Sequence, residues 1–164
     1  MLFRSLLNKK INISGLMKNW ILVYVGNLIG SIILVLLVFY SGVITGDAIS
    51  KAITIAESKV ALTIWQMILR GILCNILVTL AVWMSTASQD IISKIFACWF
   101  PIMLFVLCGF EHSVANMFFI PLGMILGAKV TIGYFLINLL FVTIGNIIGG
   151  AIIIPFIYNK VYKE

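Results

Sequence analysis

Residues 19–30 read N-W-I-L-V-Y-V-G-N-L-I-G, and residues 138–149 read N-L-L-F-V-T-I-G-N-I-I-G. Asn19, Val23, Gly26, Asn27, Ile29 and Gly30 recur as Asn138, Val142, Gly145, Asn146, Ile148 and Gly149. Each copy lies inside a long apolar run. A membrane helix repeated in this way points to a protein built from duplicated halves, with its site where the halves meet.

The rest of the chain supports a membrane setting. Of 164 residues, 63% are hydrophobic and 10% are charged, against about 25% charged in a soluble domain. We read the chain as an all-α integral membrane protein, one membrane domain over residues 1–164 without a soluble domain. The net charge of +6 does not imply a nucleic-acid partner, because the basic residues sit mostly in short connections between apolar runs, where they set topology. The first long apolar run lacks a small-residue cleavage site, so no signal peptide is expected. Cys74, Cys98 and Cys108 lie in apolar stretches without C-x-x-C spacing, so neither a metal site nor a disulfide is expected.

Four spans are expected, at about 20–44, 62–84, 95–126 and 131–158. The segment 45–60 carries Asp47, Lys51, Glu57 and Lys59 and reads as an interfacial helix or loop. Arg70 falls near the start of the second span. The third is interrupted by Gly109-Phe110-Glu111-His112-Ser113. Arg4, Lys9, Lys10, Lys18, Lys94, Lys160 and Lys163 fall on one side, and Lys51, Lys59 and Lys129 on the other. Seven against three places both termini in the cytoplasm. Two spans separate the repeated helices, so the repeating unit is three spans long, and an odd unit is inverted in its second copy. A complete inverted repeat has six spans. This chain would supply spans three to six, with the counterparts of spans four and five upstream of Met1.

His112 is the one histidine, beside Glu111 in the middle of an apolar run. Ionisable groups at that depth are costly and face protein or water. If the helix breaks at Gly109, the half-helix from Ser113 points its positive end inward, where such ends bind anions. The plainer alternative is a buried histidine satisfied by its neighbour. Phe105 lies two turns before His112 on the same face and reads as an apolar constriction or as a lipid-facing ring. Asn75 and Val78 are three residues apart and share a helix face. Asn27 and Asn146 each adjoin a glycine, a spacing that suits close helix packing; Asn146 reads equally as packing or pore lining. Lys59 reads as a cation at a pore mouth or as a snorkelling interfacial lysine. Trp20, Trp65, Trp83 and Trp99 fall near span ends, as aromatic belts do. No nucleophile constellation, phosphate loop or nucleotide motif is present, so an enzyme is not expected.

The run G-F-E-H-S-V-A-N-M-F-F-I-P-L-G at 109–123 resembles the signature of the formate/nitrite transporter family. So do residues 19–30, R-G-I-L-C-N-I-L-V-T-L-A-V-W-M at 70–84, and V-T-I-G-N-I-I-G-G at 142–150. The resemblance implies an aquaporin-like, six-span inverted-repeat protomer in a homopentamer, each protomer with its own pore. By it, His112 matches the central pore histidine, Phe105 an apolar constriction on its outer side, and Lys59 the lysine of the outer vestibule. Asn146 matches a pore-side asparagine, and Val78 and Asn75 match the inner pore region. It implies a multi-pass protein of the inner or plasma membrane. It also implies pH-dependent passage of a weak-acid anion (formate, nitrite or hydrosulfide), with protons as possible co-partners and no cofactor. The family's first two spans have no match in this chain. The alternatives are therefore a non-transporting membrane piece, or a subunit that works with those spans in trans. A neutral-solute channel is a third, against which the broken-helix histidine argues.

Overall fold

The computed structural model describes residues 12–161. The order is α1 (Ile13–Tyr40), α2 (Asp47–Val60), α3 (Ile64–Ala87), α4 (Ile91–Leu107), α5 (Ser113–Ile125), α6 (Ile132–Ile147), a π-turn (Ile148–Ile153) and α7 (Ile154–Val161). Arg4, Lys9, Lys10 and Lys163, part of the positive-inside count, lie outside the described residues.

Among the described residues, three helical runs are long and apolar enough to cross a membrane: α1 with 28 residues, α3 with 24, and the continuous run Ile132–Val161 with 30. At ~1.5 Å per residue each exceeds the ~30 Å hydrocarbon core. The third expected span, 95–126 with its interruption at 109–113, falls on two half-helices, α4 of 17 residues and α5 of 13. α1 starts earlier than residue 20 because Asn12 Oδ1 accepts from Gly15 N at 2.8 Å, closing the first turn in the polar approach. Thr63 and Gln66 form a reciprocal capping box on α3. Asp90 and Thr131 cap α4 and α6. Segment 45–60 is mostly helical (α2), with Asp47 in its first turn and Lys59 in its last, each charge suited to the helix dipole at its end.

Glycine decides how closely α3 and α6 approach. A methyl group on Gly145 would collide with the carbonyl oxygen of Ile68, and one on Gly149 with that of Ile72. One on Gly71 would lie 2.8 Å from Val142 O. This backbone-to-backbone contact is the small-residue packing that lipid-embedded helices use. Beside it, Met117 and Ile120 of α5 pack with Phe135 and Leu139 of α6, and Tyr24 and Leu28 of α1 lie against them. α2 rests on α5 where Ala56 meets Gly123.

The two copies of the repeat are used differently. Around Gly26 and Gly30 of α1, added methyl groups would meet nothing within 4 Å. The copies nevertheless touch at one equivalent pair. Tyr24 and Thr143 occupy the same place in the two texts, and their hydroxyls lie 2.9 Å apart. A residue meets its own counterpart only beside a two-fold axis, so the pseudo-axis relating α1 to α6 passes close to this pair. The difference gives a paired prediction. Gly145→Ala and Gly149→Ala should each destabilise the protein by about 1–3 kcal/mol, the cost of overpacking, whereas Gly26→Ala and Gly30→Ala should leave it unchanged. Thermal unfolding in detergent would show this, and equal shifts for the two pairs would contradict the packing described.

Candidate functional site: the break between α4 and α5

α4 ends in a tight turn. Cys108 N donates to Leu104 O at 2.9 Å, and Phe110 N to Phe105 O at 3.0 Å. Gly109 has φ 64°, a left-handed conformation that costs glycine little and other residues more. Backbone interrupted at membrane depth needs partners, and the adjacent helices provide them. Glu111 N donates to Arg70 O at 3.3 Å, and Arg70 Nη1 donates to Gly109 O at 3.5 Å. Asn146 Nδ2 donates to Glu111 O at 2.9 Å and to Gly71 O at 2.9 Å.

α5 then begins with His112 as its N-cap. His112 Nδ1 accepts from Ala115 N at 3.4 Å. Asn146 Oδ1 accepts from Ser113 N at 2.9 Å. One asparagine of α6 therefore joins α3, the break and the first amide of the half-helix. Phe105 stacks beside the histidine, with ring centroids 6.0 Å apart.

On the other side of Glu111 is a buried polar cluster. Lys59 Nζ lies 2.9 Å from Glu111 Oε1, with the two side chains 15% and 4% exposed. Asn116 Nδ2 donates to Glu111 Oε2 at 2.6 Å and to Asn138 Oδ1 at 2.7 Å. Asn138 Nδ2 donates to Lys59 O at 2.9 Å. The ammonium group also lies 5.8 Å from the Phe119 ring centre.

A cavity of about 590 Å³ reaches the break from one side, between α1, α3 and α6. His112, Ser113 and Val114 line one end, and Ala151 and Pro155 the other. Asn75 and Asn146 also line it. Asn146 thus both packs helices and lines the cavity. Phe105 lies behind His112 and does not line this cavity, and Lys59 is turned to Glu111. Val78 is not on the wall either; Thr79 is. Three residues beyond Asn75 the helix is turned about 60° one way, and four residues beyond about 40° the other, and the fourth reaches the cavity. Asn138, Asn116, Tyr24, Thr143 and Thr79 were not identified as site residues from the sequence. Asn138 had a signal there, as part of the repeat, and Thr79 another, in its four-residue spacing from Asn75.

A broken helix at membrane depth is tolerated where neighbouring protein satisfies it and where it lines a cavity. This break meets both conditions, which is the construction of a helical membrane transport protein. A sequence profile for formate/nitrite transporters matches residues 1–159, and the chain belongs to that family. It is 43% identical to a probable formate transporter of Methanothermobacter thermautotrophicus over 148 residues, covering 80% of this chain and 54% of that protein. It is 42% identical to the formate channel FocA of Escherichia coli K12 over 114 residues, 68% of this chain and 40% of that one. Among solved structures it is similar to a pentameric formate channel with formate bound (TM-score 0.84, 34% identity, 93% of this chain and 69% of that one). It is also similar to an FNT family ion channel (TM-score 0.86, 28% identity, 94% and 63%). The chain spans about half the length of the curated relatives it matches.

Proposed function

We propose that this chain forms the wall of a pathway for small monovalent weak-acid anions, formate first and nitrite or hydrosulfide by the same chemistry. The observation that carries the reading is the start of α5, where a half-helix N-terminus capped by His112 opens on a cavity at membrane depth. The positive end of the helix favours a negative ligand there. Apolar surface such as Phe105 opposes passage of a bare anion, since burying an unpaired charge is costly. Protonation on the way removes that cost. With His112 Nδ1 accepting from Ala115 N, the proton of a neutral imidazole sits on Nε2, which is then the nitrogen able to donate. Lys59 neutralises Glu111, so the pair leaves no net negative charge behind the break to oppose an anion. Asn75 keeps one amide N–H beyond its bond to Asn146 O and can donate along the wall, whereas Asn146, whose amide is engaged with Gly71 O, Glu111 O and Ser113 N, shapes that wall.

By the pentameric relative, the working form is a homopentamer in the plasma or inner membrane. The C-terminus lies in the cytoplasm, on the side of Lys18, Lys94 and Lys160. No enzymatic step is proposed. In vesicles, formate flux should rise as pH falls, and His112→Phe should lower the acid-side flux by about 100-fold or more, the scale of a general acid–base contribution. Flux through His112→Phe that matches the unmodified protein at every pH would remove the histidine from the mechanism.

A second reading has one observation in its favour, the uncovered face of α1 at Gly26 and Gly30. In it, transport requires further helices against that face. Co-expression with a two-span segment of the family would restore flux under this reading and change nothing under the first.

A further inference from the structure

The run Ile132–Val161 changes register partway along. Six residues, Ile148–Ile153, are π-helical between α6 and α7. Such turns are uncommon and frequent at functional sites. Two side chains of α3, one turn apart, bond the backbone just before it and within it. Asn75 Nδ2 donates to Asn146 O at 2.9 Å, and Thr79 Oγ1 donates to Gly150 O at 3.4 Å. In the π pattern the carbonyl of residue 150 looks to the amide of residue 155, and Pro155 has no N–H. The threonine hydroxyl serves the carbonyl that proline cannot. Gly150 leaves room for this, since a Cβ there would lie 3.0 Å from Thr79 Oγ1 and 3.2 Å from Asn75 Nδ2.

The register matters for the cavity. Asn146 and Pro155 both line it, yet they are nine residues apart. At about 100° per residue an unbroken α-helix would set them on opposite faces. Accommodating one extra residue in a π-turn swings the second toward the first by roughly 100°.

We infer that Thr79 is a positioning residue for the cavity wall: it holds the π-turn by occupying the Gly150 carbonyl, and the π-turn brings Pro155 round to the cavity. The transport consequence rests on the pathway reading above; the structural one does not. Amide hydrogen exchange of the full chain in lipid vesicles tests it. Thr79→Val should speed exchange across residues 148–154 by about tenfold, the effect of one lost hydrogen bond, with the other helices unaltered. Thr79→Ser, which keeps the hydroxyl, should exchange like the unmodified protein. Adding Pro155→Ala to Thr79→Val should restore protection, because the new N–H can serve Gly150 O. If Thr79→Val fails to fold, recovery of folded protein by Pro155→Ala counts in the same way. Unchanged exchange in Thr79→Val overturns the proposal, as does failure of Pro155→Ala to restore either protection or folding. Formate flux measured on the same samples separates the two readings: faster exchange with unaltered flux would remove this end of the cavity from the pathway and leave the hydroxyl's hold on the turn intact.

Discussion

Asn146→Leu should lower stability by about 3 kcal/mol or more, while Asn27→Leu should change it by less than about 0.5 kcal/mol. The two asparagines hold the same place in the repeated text, so neither residue type nor local sequence separates them. Their partners do. Asn146 is 5% exposed; it accepts from Ser113 N and donates to Gly71 O and Glu111 O. Leucine of similar size would keep the volume and leave Ser113 N and Glu111 O without these partners inside the membrane. Each buried polar group left unpaired costs about 1–3 kcal/mol. Asn27 is half-buried on the cavity wall and makes no comparable set of bonds. Unfolding midpoints in detergent, read by circular dichroism, would separate the two variants. Similar losses for both would mean that the break is not held from α6.

The second large effect is expected at the Lys59–Glu111 pair. Lys59→Met removes the cation and leaves a carboxylate 4% exposed, a change that costs about 3–5 kcal/mol in buried pairs. Glu111 would keep only Asn116. Combining Lys59→Met with Glu111→Gln removes both charges, and the double variant should regain most of the loss, because the penalty belongs to the orphaned charge and not to the missing attraction. A double variant as unstable as Lys59→Met alone would show that the lysine acts through its packing over Phe119. The test also bears on the pathway proposed above: a lysine held by Glu111 cancels that carboxylate's charge behind the break and does not stand free at a pore mouth.

Much of this arrangement was legible in the chain. The break was readable from Gly109 beside a Glu-His pair in an apolar run, because charge and glycine together are expensive in lipid and need a reason. Phe105 and His112 do lie side by side, but not as two turns of one helix: α4 ends at Leu107 and His112 caps α5, so the turn at Gly109, which sequence spacing does not describe, brings the rings together. From sequence Lys59 reads as a pore-mouth cation or a snorkelling lysine, because its partner Glu111 lies 52 positions away and a one-dimensional reading has no access to such a contact. The three-residue spacing of Asn75 and Val78 marks a shared face without saying which flank of it meets a cavity, and it is Thr79 that lines the wall. The early start of α1 was missed because apolar content, by which the span was delimited, says nothing about an asparagine cap in a polar approach.

Hydrophobic runs, their lengths, the repeated text and the position of the break were determined by the sequence alone, because burial in lipid and helix periodicity act on neighbouring residues. Tertiary structure alone decided which copy of the repeat is filled. Gly145 and Gly149 carry α3 against their backbone, while Gly26 and Gly30 carry nothing. It also decided that Tyr24 meets its own counterpart Thr143, and that Thr79 and Pro155 together set the register of the last helix. These are contacts between distant parts of the chain, and identical local sequences acquire different roles when their surroundings differ.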